Sequence, residues 1–186
     1  MAVFQLQTNK TIMMMRLNIS ITVLLIITMS SCKSSKATDF MELLDQSERR
    51  AFAIVVGKNG SGEKKLEYLE KDDFKGAAMA VDQQAVEFDK LITDIKKLST
   101  DGIQEGEQLK TASIEYYKAL KELHIFDKKE IEQQALLQTV KNDELKNVQN
   151  KLMVLLQQKK ALYNSVYEKE AFLNSASEAF KVANGL

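Results

Sequence analysis

Gly57-Lys58-Asn59-Gly60-Ser61-Gly62-Glu63-Lys64 follows the apolar run Ala53-Ile54-Val55-Val56 and nearly spells a phosphate-cradling loop. Such a loop needs Lys and then Ser or Thr directly after its last glycine, because the ammonium holds the phosphates and the hydroxyl holds magnesium. Glu63 and Lys64 stand there instead, and Glu63 would aim a negative charge at the phosphates. With three of the seven glycines in six residues, the segment reads as an interhelical loop, and no nucleotide is expected to bind it.

His124 is the sole histidine, and no nucleophile or acid stands at a spacing that makes it a general base. Carboxylate-bridged di-iron bundles require Glu-x-x-His on two helices. Here Lys121 occupies the required place, Glu122 lies two residues before His124, and there is no second histidine. No metal or cofactor is expected, and haem held by His124 with Met79 or Met153 has nothing specific in its favour. Without a catalytic constellation the chain reads as a non-enzyme. Tyr116, Tyr117, Tyr163 and Tyr167 could line a pocket between the last two long helices; the commoner outcome is a core layer whose hydroxyls reach the surface.

Cys32 is the only cysteine, and its position is informative. A basic start at Arg16, an apolar stretch from Leu17 to Met29, and the small residues Ser30 and Ser31 precede it. That is the three-part layout of a secretory signal. The apolar stretch has 13 residues, whereas a helix spanning a bilayer needs about 20. Three consecutive methionines at 13–15 offer alternative translation starts, so residues 1–12 stand apart from the signal. The segment resembles the lipobox of bacterial lipoproteins, in which signal peptidase II cuts before a cysteine whose thiol carries a diacylglyceryl group. That family usually has Leu three residues before the cysteine, and here the residue is Met29. The resemblance implies residues 1–31 as signal peptide and a lipid on Cys32. Acyl burial at about 0.8 kcal/mol per methylene would anchor the protein stably. Lys33, where an inner-membrane retention signal would place Asp, implies an outer membrane. The lack of acids from Lys33 to Thr38 favours the periplasmic side over the cell surface. Residues 32–38 are expected to form a lipidated tether.

The remainder must position these groups, and its composition favours one class. It has no proline and no tryptophan, few glycines, and an abundance of Ala, Leu, Lys, Glu and Gln. These residues lose little on entering a helix. Lys plus Arg equals Asp plus Glu at 26 each, and loss of residues 1–31 removes only Lys10 and Arg16, so no field draws the chain to nucleic acid. A first helix is expected from Asp39, where Asp39 and Glu42 form a capping box, to Val56. After the glycine loop, apolar residues from Leu66 to Leu98 recur mostly three and four apart, as in one face of a second helix, and Ser99-Thr100-Asp101-Gly102 stops it.

The last helix, from about 143 to 183, is the clearest element. Leu145, Leu152, Lys159, Val166, Leu173 and Phe180 fall seven apart, and Val148, Leu155, Leu162, Lys169, Ala176 and Ala183 fill the alternate seam position. Between Ile103 and Val140 lies a third helical stretch. Phe126-Asp127-Lys128-Lys129-Glu130-Ile131 combines a capping box with a hydrophobic staple, which could mark a kink or a reversal. The register change near Asn142-Asp143 suits a reversal better. Counting outward from 142 sets Glu115 level with Lys169, Tyr116 and Tyr117 with Tyr167, and Glu122 or Asp127 near Lys159. The two seam lysines either pair there or, as is commoner, carry their charge to solvent along apolar stems. Residues 39–186 are therefore expected to form an all-α antiparallel bundle of four helices with a long C-terminal helix. A domain of this kind, resembling the small helical lipoproteins of Gram-negative envelopes, suits a binding or scaffold protein contacting another envelope protein. The alternative is a bundle holding a small apolar molecule beside its tyrosines, and a hydrolase is a distant third.

Overall fold

The computed structural model describes residues 35–186. The expected signal, Cys32 and the start of the expected tether lie outside them. The described chain is all-helical: α1 (Ser35–Val56), α2 (Ser61–Glu70), α3 (Phe74–Lys96), α4 (Gly106–Leu137) and α5 (Asn142–Asn184). It forms the expected bundle with a long C-terminal helix, with one change of course in the first half.

That change concerns which break reverses the chain. Along α3, α1 meets Asp94 through Arg50 and then Gln84 through the carbonyl of Ile54; α2 meets Glu87 through Ser61 and then packs Tyr68 beside Gly76. Both helices thus run antiparallel to α3, and hence in the same direction as each other. The glycine segment is a jog within one rod, and the reversal falls at Lys71-Asp72-Asp73. Asp72 adopts a left-handed φ of 54°, and the Asp73 side chain accepts the Gly76 N–H at 2.8 Å, capping α3. The apolar spacing across 66–98 concealed this break: Leu69 and Phe74 on its two sides pack against the same small cluster, while Leu66, which also fits the spacing, is 56% exposed.

The N-terminus differs as well. Helix α1 begins at Ser35, ahead of the expected Asp39 cap, so residues 35–38 of the expected tether are helical. Ala37 is fully buried and Phe40 almost so, within the main core. Their burial rewards the extra turn.

Helices α3 and α4 form a straight antiparallel pair: Lys128 meets Asp82 at 2.7 Å, Lys121 meets Asp89 at 2.6 Å, and Gln138 reaches Asp72 at 3.1 Å. Seven residues down one helix match seven up the other. Helix α4 continues through 124–127 without a reversal, and the chain turns at 138–141, the site the register change favours.

At 43 residues, α5 is about 65 Å long at 1.5 Å per residue. All twelve of its seam positions are buried or half-buried, and they face α4. The register holds along its length, from Gln133 Nε2 donating to the Val148 carbonyl at 3.2 Å to Asn184 Nδ2 donating to the Gln104 carbonyl at 2.9 Å. Gly185 ends the helix at φ 68°, where a side chain would be strained.

One apolar cluster gathers Phe40 and Leu44 of α1, Phe88, Leu91 and Ile95 of α3, Leu109 and Tyr117 of α4, and Phe180 of α5. Phe40 and Phe180 meet with ring centroids 5.6 Å apart, and burying each such side chain stabilises the fold by about 2 kcal/mol. A smaller cluster, Ala77, Val81 and Ile131, joins α3 to the upper part of α4.

Candidate functional site

Phe40 and Phe180 hold α1 against α5 at one end of the bundle. Beyond that contact a groove of about 450 Å³ lies between α1, α4 and α5, a size typical of small-molecule sites. Helix α1 contributes Met41, Leu44, Ala51, Phe52 and Val55; α4 contributes Leu109, Tyr116, Tyr117 and Leu120; α5 contributes Leu173. Residues 41, 44, 48, 51, 52 and 55 share one face because 3.6 residues make a turn. The inward side of that face fills the core, whereas Phe52 remains 67% exposed on the groove's lip.

Half of the lining residues carry a polar group. Within the groove, Tyr117 is only 4% exposed, and its hydroxyl is open to the groove; the polar atoms sealed without a partner among the described residues are elsewhere, Gln84 Oε1 and Glu130 Oε1. Its neighbour Tyr116 packs edge-on against it, ring centroids 5.1 Å apart. Ser113 spends its hydroxyl on the Leu109 carbonyl at 2.8 Å. His124 stacks on Phe88, centroids 6.0 Å apart and planes within 13°. Burial, reinforced by the Lys65 ammonium and only partly offset by Asp127, pushes the His124 imidazole down to about 4, so it is neutral at pH 7. Asp45, Glu48 and Glu170 also line the groove, and none has an ion-pair partner among the described residues. Burial, and then the charges of Glu170 and Glu48, raise the Tyr116 hydroxyl. Burial, and then Glu48, do the same at Tyr117. Both phenols stay protonated and able to donate.

Next to His124 stands a nearly buried chain of charges across three helices. Lys65 of α2 bonds Asp127 of α4, and Lys159 of α5 bridges Asp127 at 2.7 Å and Glu130 at 2.5 Å. Burial alone would raise the Asp127 carboxyl, but hydrogen bonds from Lys159 and Lys65 outweigh it and hold it below its ordinary value. Burial likewise works against the Lys159 charge, and its two carboxylate partners more than compensate. Of the seam lysines, Lys159 pairs inward, with Asp127 and not Glu122, whereas Lys169 lies 3.7 Å from Glu115 with its side chain 41% exposed. Asp127 and Glu130, which read in sequence as a helix-start box, serve instead to neutralise two cations. A charge removed from water requires such partners.

The structure separates the four tyrosines. Tyr116 and Tyr117 share the groove, while Tyr163 and Tyr167 are 46% and 64% exposed and are not part of its lining. Lys65, Asp45, Glu48 and Glu170 carried no sequence signal of their own, since a charge on a helix normally marks a solvated face. In the glycine segment the Asn59 N–H donates to the Glu63 carboxylate, and Gly60 N–H to the Gly57 carbonyl at 2.8 Å. A Cβ on Gly62 would collide with the Val55 carbonyl oxygen. These glycines let α2 start hard against the end of α1. Among the described residues, no group of three or more His, Cys, Asp or Glu could hold a metal ion, and no helix is long and apolar enough to cross a membrane. The chain matches no family model, no curated protein and no solved structure.

Proposed function

We propose that this chain is a lipid-anchored helical-bundle protein of the cell envelope that acts by binding rather than by catalysis, with the groove between α1, α4 and α5 as its binding site. The observation that carries the reading is that groove: it is of ligand size, mixes apolar walls with a few acids, and presents the hydroxyl of the largely buried Tyr117 to the open space. A donor facing an open space suits an incoming acceptor. Anchoring is supported by the signal layout of residues 13–32 and by Cys32 at its end, and Lys33 favours an outer membrane, on the periplasmic side. Against a purely structural scaffold stands the space itself. A protein partner gripping helix faces needs no such hollow.

Titration with the neutral, apolar fluorophore N-phenyl-1-naphthylamine tests the site. Its emission should rise and shift to the blue with the wild-type chain, and the gain should vanish in Ser177→Trp, which fills the groove, while helicity at 222 nm is retained. No gain with the wild-type chain would return the protein to the scaffold reading. Mass spectrometry of the envelope form tests the anchor: the N-terminus should be an acylated Cys32.

A further inference from the structure

The groove's charges are of one sign. Asp45 and Glu48 on α1 and Glu170 on α5 border the trough from opposite walls, and no lysine or arginine is among the lining residues. Asp82, Asp89, Asp94, Glu115 and Asp127 find cations across or along helices, and many exposed acids do not; what sets this trough apart is that three acids line it and no cation does. Nor is the sign imposed by composition, since the chain carries equal numbers of acids and bases. Three unpaired carboxylates along the trough present a negative potential beside its apolar walls. The ring faces of Tyr116 and Tyr117, negative at the π surface, add to that preference for positive charge. His124 at the other end is neutral and opposes nothing.

From this geometry we infer that the groove takes an amphipathic cation: a small molecule with an extended apolar body and an ammonium group, the body lying against Leu44, Leu120 and Leu173 and the charge among Asp45, Glu48 and Glu170. The Tyr117 hydroxyl then donates to a polar atom within the body, or is covered by it at the head end. A volume of about 450 Å³ matches a drug-sized molecule. The inference rests on the binding role proposed above and adds the ligand's charge to it.

Calorimetric titration of the full chain with three single-chain probes below their micelle concentrations separates the two claims: decyltrimethylammonium, decanol and decyl sulfate. The cation should bind at least about tenfold more tightly than the sulfate, and raising NaCl from about 20 mM to 500 mM should narrow that ratio, since exposed charges are screened over about a Debye length. In the combined variant Asp45→Asn, Glu48→Gln, Glu170→Gln, cation and anion should bind alike. Equal affinity for the cation and the sulfate in the wild-type chain, or a preference insensitive to both salt and the substitutions, overturns the inference while leaving a neutral binding site in place. Failure of all three probes removes the site as well. Binding of a basic amphipathic peptide with no binding of decyltrimethylammonium also overturns it, in favour of a protein partner.

Discussion

Moving the solvent from pH 7 to pH 5 should destabilise this bundle chiefly through one side chain, His124. In the unfolded chain the imidazole titrates near its ordinary value of 6.5, whereas in the fold burial and Lys65 push it down to about 4. A base with a lowered native pKa binds its proton more weakly when folded, so stability is fully present above about pH 6.5 and drains as the pH falls toward 4. A depression of this size is worth about 3 kcal/mol when complete, and about 2 kcal/mol is already lost at pH 5. The carboxylates add little in that window, because Asp127 is held below its ordinary value and its contribution is lost only at lower pH. Urea unfolding followed at 222 nm, at pH 7 and pH 5, reads the difference directly. The wild-type midpoint should fall sharply between the two, and His124→Gln, which keeps a polar ring-sized group beside Phe88 but does not titrate, should show a much smaller fall. If both proteins lose the same stability over this interval, the placement of His124 against Phe88 and Lys65 is wrong.

The charged chain makes a second prediction: Asp127→Ala strands the Lys65 ammonium and leaves Lys159 with Glu130 alone, and should cost about 3 kcal/mol in urea unfolding, whereas replacing Lys65, Asp127, Glu130 and Lys159 together by Met, Leu, Leu and Met should recover most of that loss. Gly62→Ala should lower stability by about 2 kcal/mol, through the forced separation of α2 from the Val55 carbonyl; a neutral result would show that the jog can relax. In the groove, Tyr163→Ala and Tyr167→Ala should leave fluorophore uptake within about twofold of wild type, because neither side chain lines it, while Tyr117→Ala should change the measured affinity severalfold. An effect of Tyr167→Ala as large as that of Tyr117→Ala would relocate the site.

Features that depend on near neighbours along the chain are legible in the residues alone. The twelve-position seam of α5, its stop at Gly185, and the turn at 138–141 all follow from 3.6-residue periodicity and a change of apolar register. Once that turn is placed, counting outward reaches Lys169 with Glu115 and Lys159 with Asp127, because an antiparallel pair has a single register. Local signals misled where two outcomes share one pattern. The glycines at 57–62 permit a jog as readily as a reversal, and Asp127 with Glu130 can cap a helix or hold a lysine. Tertiary structure decided the rest. Lys65 and Asp127 meet across 62 positions, and the groove exists only because α1 and α5 touch at Phe40 and Phe180 and leave space beyond them. A void is a relation among three helices, and no residue's own chemistry specifies its distance from a partner it meets only after folding.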